Sequence, residues 1–386
     1  MHIVLISTEN PYERNNGGIG TYIKYIVEAL SIKNNRIDII TFSRLNNGVR
    51  KLKENVRLHE YIPPKKRSEF YLDNMEIFLN AVLAIHERDP IDIIEAPDWL
   101  APGFRIVQET EIPLITRLHT PLFLIEEIGQ GQKIYRHSDE IKSLEREQIR
   151  RSAAVSSPSR SLAEYISEKL SVQVEIIPNP INSEEIFGGE QELLPEELKL
   201  KDYLLYMGRL EYRKGILVMA NIISDILERH HNLSIVFCGE DTIYKKKSIK
   251  QSVLESIENF KERVIFIDYA EGVKKYTLIK NSLCVVQPSL WENFSYVTLE
   301  AMSLNKCIIA TKSGGFLDMI QDGKTGYLVE AGGPSELLNG IDRALASDTK
   351  KIGFNAGKVL RQRYDTVVLK DEFQSYFKRV MDSQNR

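Results

Sequence analysis

The chain has 386 residues, a formal net charge of −3 and a hydrophobic fraction of 42%. This length predicts two domains, each large enough for its own core, and the charge argues against a general nucleic-acid binder, which needs a strong basic excess. The three cysteines, Cys238, Cys284 and Cys307, lie in or beside apolar runs, so we expect buried side chains and neither a metal site nor disulfides. No apolar run approaches the roughly 18 residues that cross a bilayer. The first residues, MHIVLIST, already read as a strand without a basic leader, so we expect a cytoplasmic protein.

Short apolar runs alternate with helical stretches through the first half of the chain. Runs that end in small, polar or proline residues are Ile3–Ile6, Ile37–Phe42, Ile91–Ile94, Pro113–Leu118, Ala153–Val155 and Val174–Ile177. This alternation predicts an α/β domain with a mostly parallel sheet that helices cover on both faces. Such sheets bind ligands beyond the carboxyl ends of their strands. The candidate binding residues at those ends are Thr8, Asp98, His119 and Asn179.

The loop Asn15–Gly20, NNGGIG, precedes a helix predicted from about Thr21 to Leu30. Its adjacent glycines, Gly17 and Gly18, allow positive φ angles and a close approach of the backbone to a ligand. The loop does not match G-x-G-x-x-G and lies too far from the strand for a tight dinucleotide turn. A flexible turn before a helix is the alternative interpretation.

Two charged segments raise the question of contact with a membrane. In Lys133–Arg151 opposite charges recur at helical spacing, which predicts a surface helix whose basic end is a candidate for docking on anionic lipid. The segment PPKKR at residues 63–67 predicts an exposed, solvated loop. Peripheral contact with the inner face of the membrane is therefore a hypothesis that the sequence leaves open.

The periodicity fails between about Ile181 and Lys201, which makes this stretch the best linker candidate. The α/β pattern then restarts, with apolar runs at Tyr203–Met207, Leu233–Phe237, Val264–Ile267, Leu283–Val286 and Cys307–Ala310. We therefore expect a first domain over residues 1–185 and a second over 200–365. The amphipathic stretch within 366–386 is a candidate to return to the first domain.

Cations and glycines follow the strands of the second half. Arg209 and Lys214 lie in GRLEYRKG, just beyond a predicted strand, where Arg can clamp phosphate oxygens and Lys supplies a mobile charge. These two cations would stabilise a leaving diphosphate without a metal. The motifs CGE, with Gly239, and SGG at 313–315 each place glycine after a strand, where the backbone approaches a ligand closely. Ordinary surface cations near a turn are the alternative.

The stretch WENFSYVTLEAM at 291–302 is the most informative of the chain, because two carboxylates flank a strand-to-helix junction. Ser295 is the expected N-cap of the helix, Glu292 lies in the turn and Glu300 lies inside the helix. Amides at a helix N-terminus bind anions, and adjacent carboxylates can accept hydrogen bonds from sugar hydroxyls. An ordinary turn with two solvated acids is the alternative.

Two other motifs are excluded. A P-loop around DGKT would need glycine five residues before Gly323, where Asp318 stands, and no D-x-D motif supports a metal-bridged diphosphate.

His119 has two interpretations. A lone histidine is usually structural, but its place at the carboxyl end of a strand favours a functional role.

Taken in order, these motifs resemble the retaining glycosyltransferases of family 4 (GT4). The resemblance rests on GGIG, LHT at 118–120, PNP at 178–180, GRLEYRKG, CGE, Glu292 and Glu300 as E-x7-E, and SGG followed by DGKTGYLV. It implies the GT-B architecture, an α/β fold of two Rossmann-like, doubly wound parallel-sheet domains facing across a cleft. The first domain would be the acceptor side and the second would bind the nucleotide-sugar donor.

The resemblance also implies roles for single residues. Arg209 and Lys214 would hold the donor diphosphate, Glu300 the ribose and Glu292 the transferred sugar near its anomeric carbon. His119 would bind a sugar hydroxyl or a backbone carbonyl and help to stabilise the transition state. The remaining donor-binding candidates are Gly17, Gly18, Gly239, Tyr269, Asn293, Phe294, Ser295, Tyr296 and Val297. No metal or other cofactor is expected.

The chain departs from the family pattern at several positions, which puts the sugar in doubt. Asn293 replaces the usual Gly, Ser295 replaces Gly or Pro, Leu317-Asp318 replaces Pro-Glu, and Asn182 replaces Asp. The family implies transfer of a hexose, glucose by frequency, from a UDP-sugar to an acceptor hydroxyl with retention. The acceptor would be a glycan, a glycolipid or a small molecule, in polysaccharide or glycolipid biosynthesis. The alternatives are a nucleotide-sugar epimerase of the same fold and a catalytically silent nucleotide-sugar-binding protein.

Overall fold

The chain forms two compact α/β units. The computed structural model describes residues 1–14, 17–63, 70–129, 131, 133–188, 194–199 and 201–384. One unit comprises Met1–Pro180 with Thr366–Arg386, and the other comprises Ile181–Asp365. The division after Pro180 falls earlier than the boundary at residue 185 that the sequence predicts.

The sheet of the first unit orders its strands β3-β4-β2-β1-β5-β6-β7-β8 within the described residues. These strands are β1 His2–Ser7, β2 Arg36–Phe42, β3 Gly48–Lys53, β4 Val56–Tyr61, β5 Ile93–Pro97, β6 Leu114–Arg117, β7 Ala154–Ser157 and β8 Glu175–Ile176. All neighbours pair in parallel except β3, which runs antiparallel to β4. The apolar runs of the sequence do not predict β3 or β4, and β3 is an exposed edge strand with the polar sequence GVRKLK.

Helices cover this sheet and bury its apolar strands. They are α1 Gly18–Ser31, α2 Phe70–Arg88, α3 Phe104–Glu109, α4 Leu122–Ile128, α5 Ser138–Arg151 and α6 Arg160–Leu170. Every residue of β1 is buried, as a central parallel strand requires. One core cluster joins Val4, Ile40 and Ile94 from three strands to Phe78 and Val82 of α2.

The helix α5 is not the simple surface helix that its charges predict. Ser138, Ile141, Glu145, Gln148 and Ile149 form a buried face. This buried face contains polar as well as apolar side chains, so the hydropathy pattern does not predict that it is buried. Of the segment at 63–67, Pro63 is exposed and the remainder lies outside the described residues.

The second unit begins with the short helix α7 Ser183–Phe187, which packs against a helix near the site described below. The predicted linker therefore contains a helix, and its residues Ile186 and Leu198 are buried. Residues 189–193 and 200 of that stretch lie outside the described residues.

The sheet of the second unit orders its strands β13-β10-β9-β14-β15-β16. They are β9 Asp202–Met207, β10 Leu233–Cys238, β13 Val264–Ile267, β14 Cys284–Gln287, β15 Cys307–Thr311 and β16 Tyr327–Val329, and a separate hairpin joins β11 Ile243–Tyr244 to β12 Lys247–Ser248. All pairs in the main sheet are parallel. The helices are α8 Ile216–Ala220, α9 Ile223–Arg229, α10 Ile249–Ser256, α11 Gly272–Asn281, α12 Tyr296–Ser303, α13 Phe316–Met319, α14 Pro334–Leu345 and α15 Thr349–Arg363.

The last helix, α16 Thr366–Gln384, belongs to the first unit and packs against α1. Asn35 donates a hydrogen bond to Gln374 over 2.6 Å, and Lys33 pairs with Asp371 over 2.6 Å. Phe373 of α16 is buried. Among the described residues, we find no helix with the length and apolar character needed to span a bilayer.

Candidate active site

The junction between β14 and α12 has the geometry that its sequence predicts. Ser295 is the N-cap of α12, because its hydroxyl accepts the backbone N–H of Thr298 at 3.2 Å. The positive end of the helix dipole therefore lies at this junction. Asn293, Phe294 and Ser295 are buried in the turn, and Tyr296 and Val297 open the helix half-buried. This confirms the predicted N-cap.

Lys214 and Glu292 are in direct contact, although they are far apart in sequence. The Lys214 ammonium donates to Glu292 Oε2, and both side chains are mostly buried. Arg209 lies near them in the same loop, with a 62% exposed side chain whose Nη2 is 3.4 Å from Glu211 Oε2. An ammonium has three donors, so Lys214 can hold Glu292 and still donate to a ligand.

Two charged residues that the sequence analysis missed hold this loop in place. Arg213 donates to the carbonyl of Trp291 at 3.0 Å and to Glu211 Oε1 at 2.7 Å. Burial opposes the charge on Glu211, yet Arg213 and Arg209 together lower the pKa of its carboxyl group. Glu211 and Arg213 lie between the predicted residues in GRLEYRKG, which was the available signal for them.

Glu300 has one satisfied and one unsatisfied carboxylate oxygen. Its Oε1 accepts from the Lys275 ammonium of α11 at 2.6 Å. Its Oε2 is buried without a hydrogen-bond partner among the described residues. A buried carboxylate oxygen without a partner is unfavourable, which indicates room for a donor from a ligand. Lys275 was missed, since no local pattern connects α11 with α12.

Three glycines of this site lie close to the backbone of a neighbouring loop, and two of them, Gly239 and Gly314, are at positions predicted to approach a ligand. Gly314 has φ +52°, and a Cβ there would lie 1.9 Å from the Glu292 carbonyl oxygen. A Cβ on Gly215 would lie 1.8 Å from the Pro288 carbonyl oxygen, and one on Gly239 would lie 2.0 Å from that of Gly208. These positions therefore require glycine for packing of the loops that carry Glu292, Lys214 and Arg209.

Tyr269 is partly exposed after β13, and its hydroxyl donates to Glu271 at 3.2 Å.

In the first unit, His119 follows β6 and is held by its backbone and its ring. Its N–H donates to Asp98 Oδ1 at 2.8 Å, and the next residue, Thr120, donates to Asp98 Oδ2 at 3.3 Å. The imidazole packs edge-on against Tyr22, with ring centroids 5.1 Å apart. Burial, reinforced by the Arg117 guanidinium, lowers the pKa of His119 to about 3, so the ring is neutral near pH 7.

Two of the candidate binding residues are structural. Asp98 is fully buried and accepts backbone N–H groups from Trp99, His119 and Thr120. The side-chain oxygen Oδ1 of Asn179 accepts from the buried Arg117 guanidinium at 2.8 Å. Both side chains thus shape the loops at the carboxyl edge of the sheet, and their binding of a ligand stays a prediction.

A second buried carboxylate supports the same loops. Glu145 Oε1 accepts the backbone N–H groups of Leu100 at 3.1 Å and Leu122 at 3.0 Å, and its Oε2 has no described partner. Burial together with the nearby charge of Asp98 raises the pKa of Glu145 to about 8. Burial also raises the pKa of Asp98 to about 7. These acids fix two loops, one after β5 in which Leu100 has a positive φ angle of 64° and one after β6 in which Thr120 has a φ of 121°.

Gly17 and Gly18 lie at the start of α1, next to a carboxylate that the sequence analysis overlooked. Glu9 Oε2 accepts the Gly20 N–H at 2.9 Å, and a Cβ on Gly17 would lie 2.4 Å from Glu9 Oε1. Gly18 has open space around it. Glu9 therefore already provides an anion at this helix end, and the phosphate role of the two glycines stays a prediction. Asn15 and Asn16 of the same loop lie outside the described residues.

The candidate residues thus form two groups, one in each unit. Lys214, Glu292, Arg209 and Glu300 lie around the carboxyl ends of β9 and β14, beside the start of α12. His119 and the two glycines belong to the carboxyl edge of the first sheet. Within the described residues, no cluster of His, Cys, Asp and Glu side chains is suited to hold a metal ion.

Known proteins share this architecture over the whole chain. An uncharacterized glycosyltransferase of Methanocaldococcus jannaschii is 25% identical over 410 aligned residues, which cover 100% of each chain. Sucrose-phosphate synthase from Thermosynechococcus elongatus superposes with a TM-score of 0.82 at 18% identity, covering 99% of this chain and 100% of that one. The Anabaena protein HepE, solved with UDP and glucose, superposes with a TM-score of 0.74 at 17% identity. The superposition covers 98% of this chain and 99% of HepE.

These likenesses establish a GT-B fold, as the sequence predicts. Two family models then match consecutive parts of the chain. Residues 16–185 match the model described as Glycosyltransferase Family 4, and residues 191–358 match the one described as Glycosyl transferases group 1. The chain is therefore a glycosyltransferase. It belongs to family 4, which confirms the resemblance drawn from its motifs.

Proposed function

We propose that the protein is a retaining glycosyltransferase that transfers a hexose, with glucose the first choice, from a UDP-sugar to an acceptor hydroxyl. The observation that carries this proposal is the Lys214–Glu292 contact beside the N-terminus of α12, together with the unsatisfied buried oxygen of Glu300 within that helix. Cations, a helix N-terminus and carboxylates are the groups that a nucleotide sugar needs. The likeness of the fold to that of HepE, solved with UDP and glucose, supports this choice of donor.

Each group has a distinct role in the proposed reaction. Lys214 and Arg209 stabilise the charge that develops on the leaving diphosphate, so no metal is required. Glu300 Oε2 accepts a hydrogen bond from the ribose, and Glu292 accepts from the transferred sugar. The neutral imidazole of His119 binds a sugar hydroxyl.

The anomeric configuration of the sugar is retained if the acceptor and the leaving phosphate lie on the same face of an oxocarbenium-like sugar. The leaving phosphate then takes the proton of the acceptor hydroxyl, and no separate general base is needed. A double displacement through Glu292 is disfavoured, because its carboxylate is already hydrogen-bonded to Lys214. A polysaccharide or glycolipid pathway would use such a transfer.

The test combines donor turnover with product stereochemistry. The protein is incubated with UDP-glucose, other nucleotide sugars and candidate acceptors, while UDP release and the product anomer are followed by NMR. We expect UDP release with an anomer of unchanged configuration. An inverted product would contradict the mechanism, and conversion of the donor sugar without an acceptor would indicate an epimerase instead. Absence of any nucleotide-sugar binding would contradict the function.

A further inference from the structure

An ion pair joins α11 to α12 in the second unit, and the proposed reaction gives no role to its cation. The Lys275 ammonium of α11 donates to Glu300 Oε1 of α12 at 2.6 Å. The Glu300 side chain is only 3% exposed, whereas that of Lys275 is 23% exposed. The carboxylate therefore lies almost entirely away from water, and the lysine is the more exposed partner.

The two oxygens of the Glu300 carboxylate have different surroundings. Oε1 is bonded to Lys275, but Oε2 is buried without a partner among the described residues. A carboxylate accepts hydrogen bonds at both oxygens, and buried polar atoms normally have partners. Oε2 therefore indicates a hydrogen-bond donor that a ligand supplies, as the ribose hydroxyls do in the proposed function.

Other buried carboxylates with an unsatisfied oxygen lack such a cation. Glu95 Oε2 and Glu145 Oε2 have no partner among the described residues, and neither acid forms an ion pair with a lysine there. Burial raises the pKa of Glu95 to about 7 and that of Glu145 to about 8, which favours their protonated forms. An ammonium partner has the opposite effect on a carboxyl group. Glu300 Oε2 is thus an open acceptor on a charged carboxylate.

The contact with Lys275 determines which oxygen of Glu300 is open. The terminal torsion of a glutamate side chain is broad and roughly two-fold, so an unpaired carboxylate samples many orientations. An ammonium on one oxygen removes this freedom and leaves the other oxygen in one place. Holding an acceptor in place before the ligand arrives lowers the entropic cost of binding.

Lys275 is itself held on a well-anchored helix. Leu278 of α11 is buried in the core, and its carbonyl accepts from the hydroxyl of the buried Tyr203 of β9 at 2.7 Å. The Lys275 ammonium also lies 5.2 Å from the centroid of the Tyr276 ring, which is within the range of a cation–π contact. These contacts fix the backbone and the charged end of the lysine, so its charge meets Glu300 from a fixed position.

We infer that Lys275 is a positioning residue for the donor nucleotide and makes the site selective for ribose over deoxyribose. It orients Glu300 so that Oε2 accepts from the vicinal hydroxyls of the ribose, and it acts without a contact of its own with the ligand. The role of Lys275 rests on the nucleotide-sugar transfer proposed above. It identifies a second residue on which recognition of the ribose depends.

The test compares the affinity of the full chain for UDP with its affinity for the 2′,3′-dideoxy analogue of UDP, both measured by calorimetric titration. The unaltered protein should bind UDP about tenfold more tightly, the effect of hydrogen bonds to a charged group in a buried site. In Lys275→Met this preference should fall to about twofold. Lys274→Met removes the same charge at an adjacent, exposed position of α11, and it should keep the full preference.

The ratio of the two affinities separates positioning from a purely structural role. A distorted site would weaken both ligands and leave their ratio unchanged. An unchanged ratio in Lys275→Met, or the same fall in both lysine variants, would overturn the inference. Equal binding of the two ligands by the unaltered protein would refute the ribose role of Glu300 and the inference with it, whereas no binding of either ligand would refute the proposed function itself.

A double variant tests whether Lys275 acts through Glu300. If it does, adding Lys275→Met to Glu300→Gln should not weaken UDP binding further, because the two residues form one unit. This comparison leaves no unpaired carboxylate in the core, so it remains valid if Lys275→Met alone does not fold, which the thermal midpoint shows. A further loss of about tenfold in the double variant would mean that Lys275 acts apart from Glu300 and would contradict the inference.

Discussion

In the second unit, the buried carboxylates of Glu292 and Glu300 each face a lysine, whereas in the first unit Asp98 and Glu145 are held by backbone N–H groups. An ammonium partner favours the charged form of a carboxyl group, and burial without one disfavours it. The pKa values of Asp98 and Glu145 are accordingly raised to about 7 and about 8. The charged pairs are suited to binding a ligand, while the buried acids shape loops and make the first unit sensitive to pH.

The largest effect is expected from breaking a charged pair. Lys214→Ala should lower kcat/KM about 100-fold, because it removes a preorganised charge that stabilises the leaving diphosphate. Steady-state kinetics with UDP-glucose measures this effect, and the thermal midpoint shows whether the variant is folded. Lys312→Ala is the control, since Lys312 is an exposed lysine of the same unit that pairs with Glu330 at 2.6 Å. A rate equal to that of the control would refute the phosphate role.

The next effect concerns the backbone that carries Glu292. Gly314→Ala combines a φ of +52° with a Cβ only 1.9 Å from the Glu292 carbonyl oxygen. We expect a loss of about 2 kcal/mol in the free energy of unfolding, measured by urea denaturation. Gly323→Ala is the matched control, because its φ is +69° but nothing lies within 4 Å of the added Cβ. If the two variants lost the same free energy of unfolding, the positive φ angle alone would explain the loss. The close approach of the added Cβ to the Glu292 carbonyl oxygen would then have no effect.

The third effect is the pH dependence of the first unit. The pKa of Glu145 is raised from 4.5 to about 8 in the folded protein, so the folded state holds a proton that the unfolded state releases. The contribution of Glu145 to the free energy of unfolding is therefore fully present below pH 4.5. It is lost as the pH rises toward 8, by ~1.4 kcal/mol per pH unit for one proton. Glu145→Gln should flatten this slope, because the amide keeps an acceptor for Leu100 and Leu122 and has no charge.

Urea denaturation between pH 5 and pH 8 measures that slope. Glu147→Gln, a more exposed position on the same helix α5, should keep the slope of the unaltered protein. If Glu145→Gln and Glu147→Gln gave the same slope, the titration of Glu145 would not be its cause.

The sequence predicted those parts of the fold that depend on local pattern. Continuous apolar runs marked the buried parallel strands such as β1 and β14, and Ser295 marked the start of α12. The edge strand β3 was missed, because its polar residues carry no such signal. The buried face of α5 was missed for a related reason, since Glu145 and Gln148 look like surface residues until their backbone partners are known.

The candidate site was predictable only where its residues share a motif. GRLEYRKG and the E-x7-E spacing pointed to Lys214, Glu292 and Glu300. The partners Lys275 and Tyr22 come from distant helices, so only the folded chain reveals them. The position of Asn179 after a strand predicts ligand binding, but it does not reveal that the side-chain oxygen Oδ1 accepts from Arg117.

The most direct measurement of donor recognition is a calorimetric titration of UDP-glucose into the protein and into Glu300→Gln. We expect one binding site per chain and about a tenfold loss of affinity in the variant, since the amide cannot accept as strongly from the ribose hydroxyls. Glu330→Gln, at an exposed position of the same unit, should bind as the unaltered protein does. No heat of binding, or equal affinity in all three proteins, would contradict the claim that the second unit holds a nucleotide sugar through Glu300.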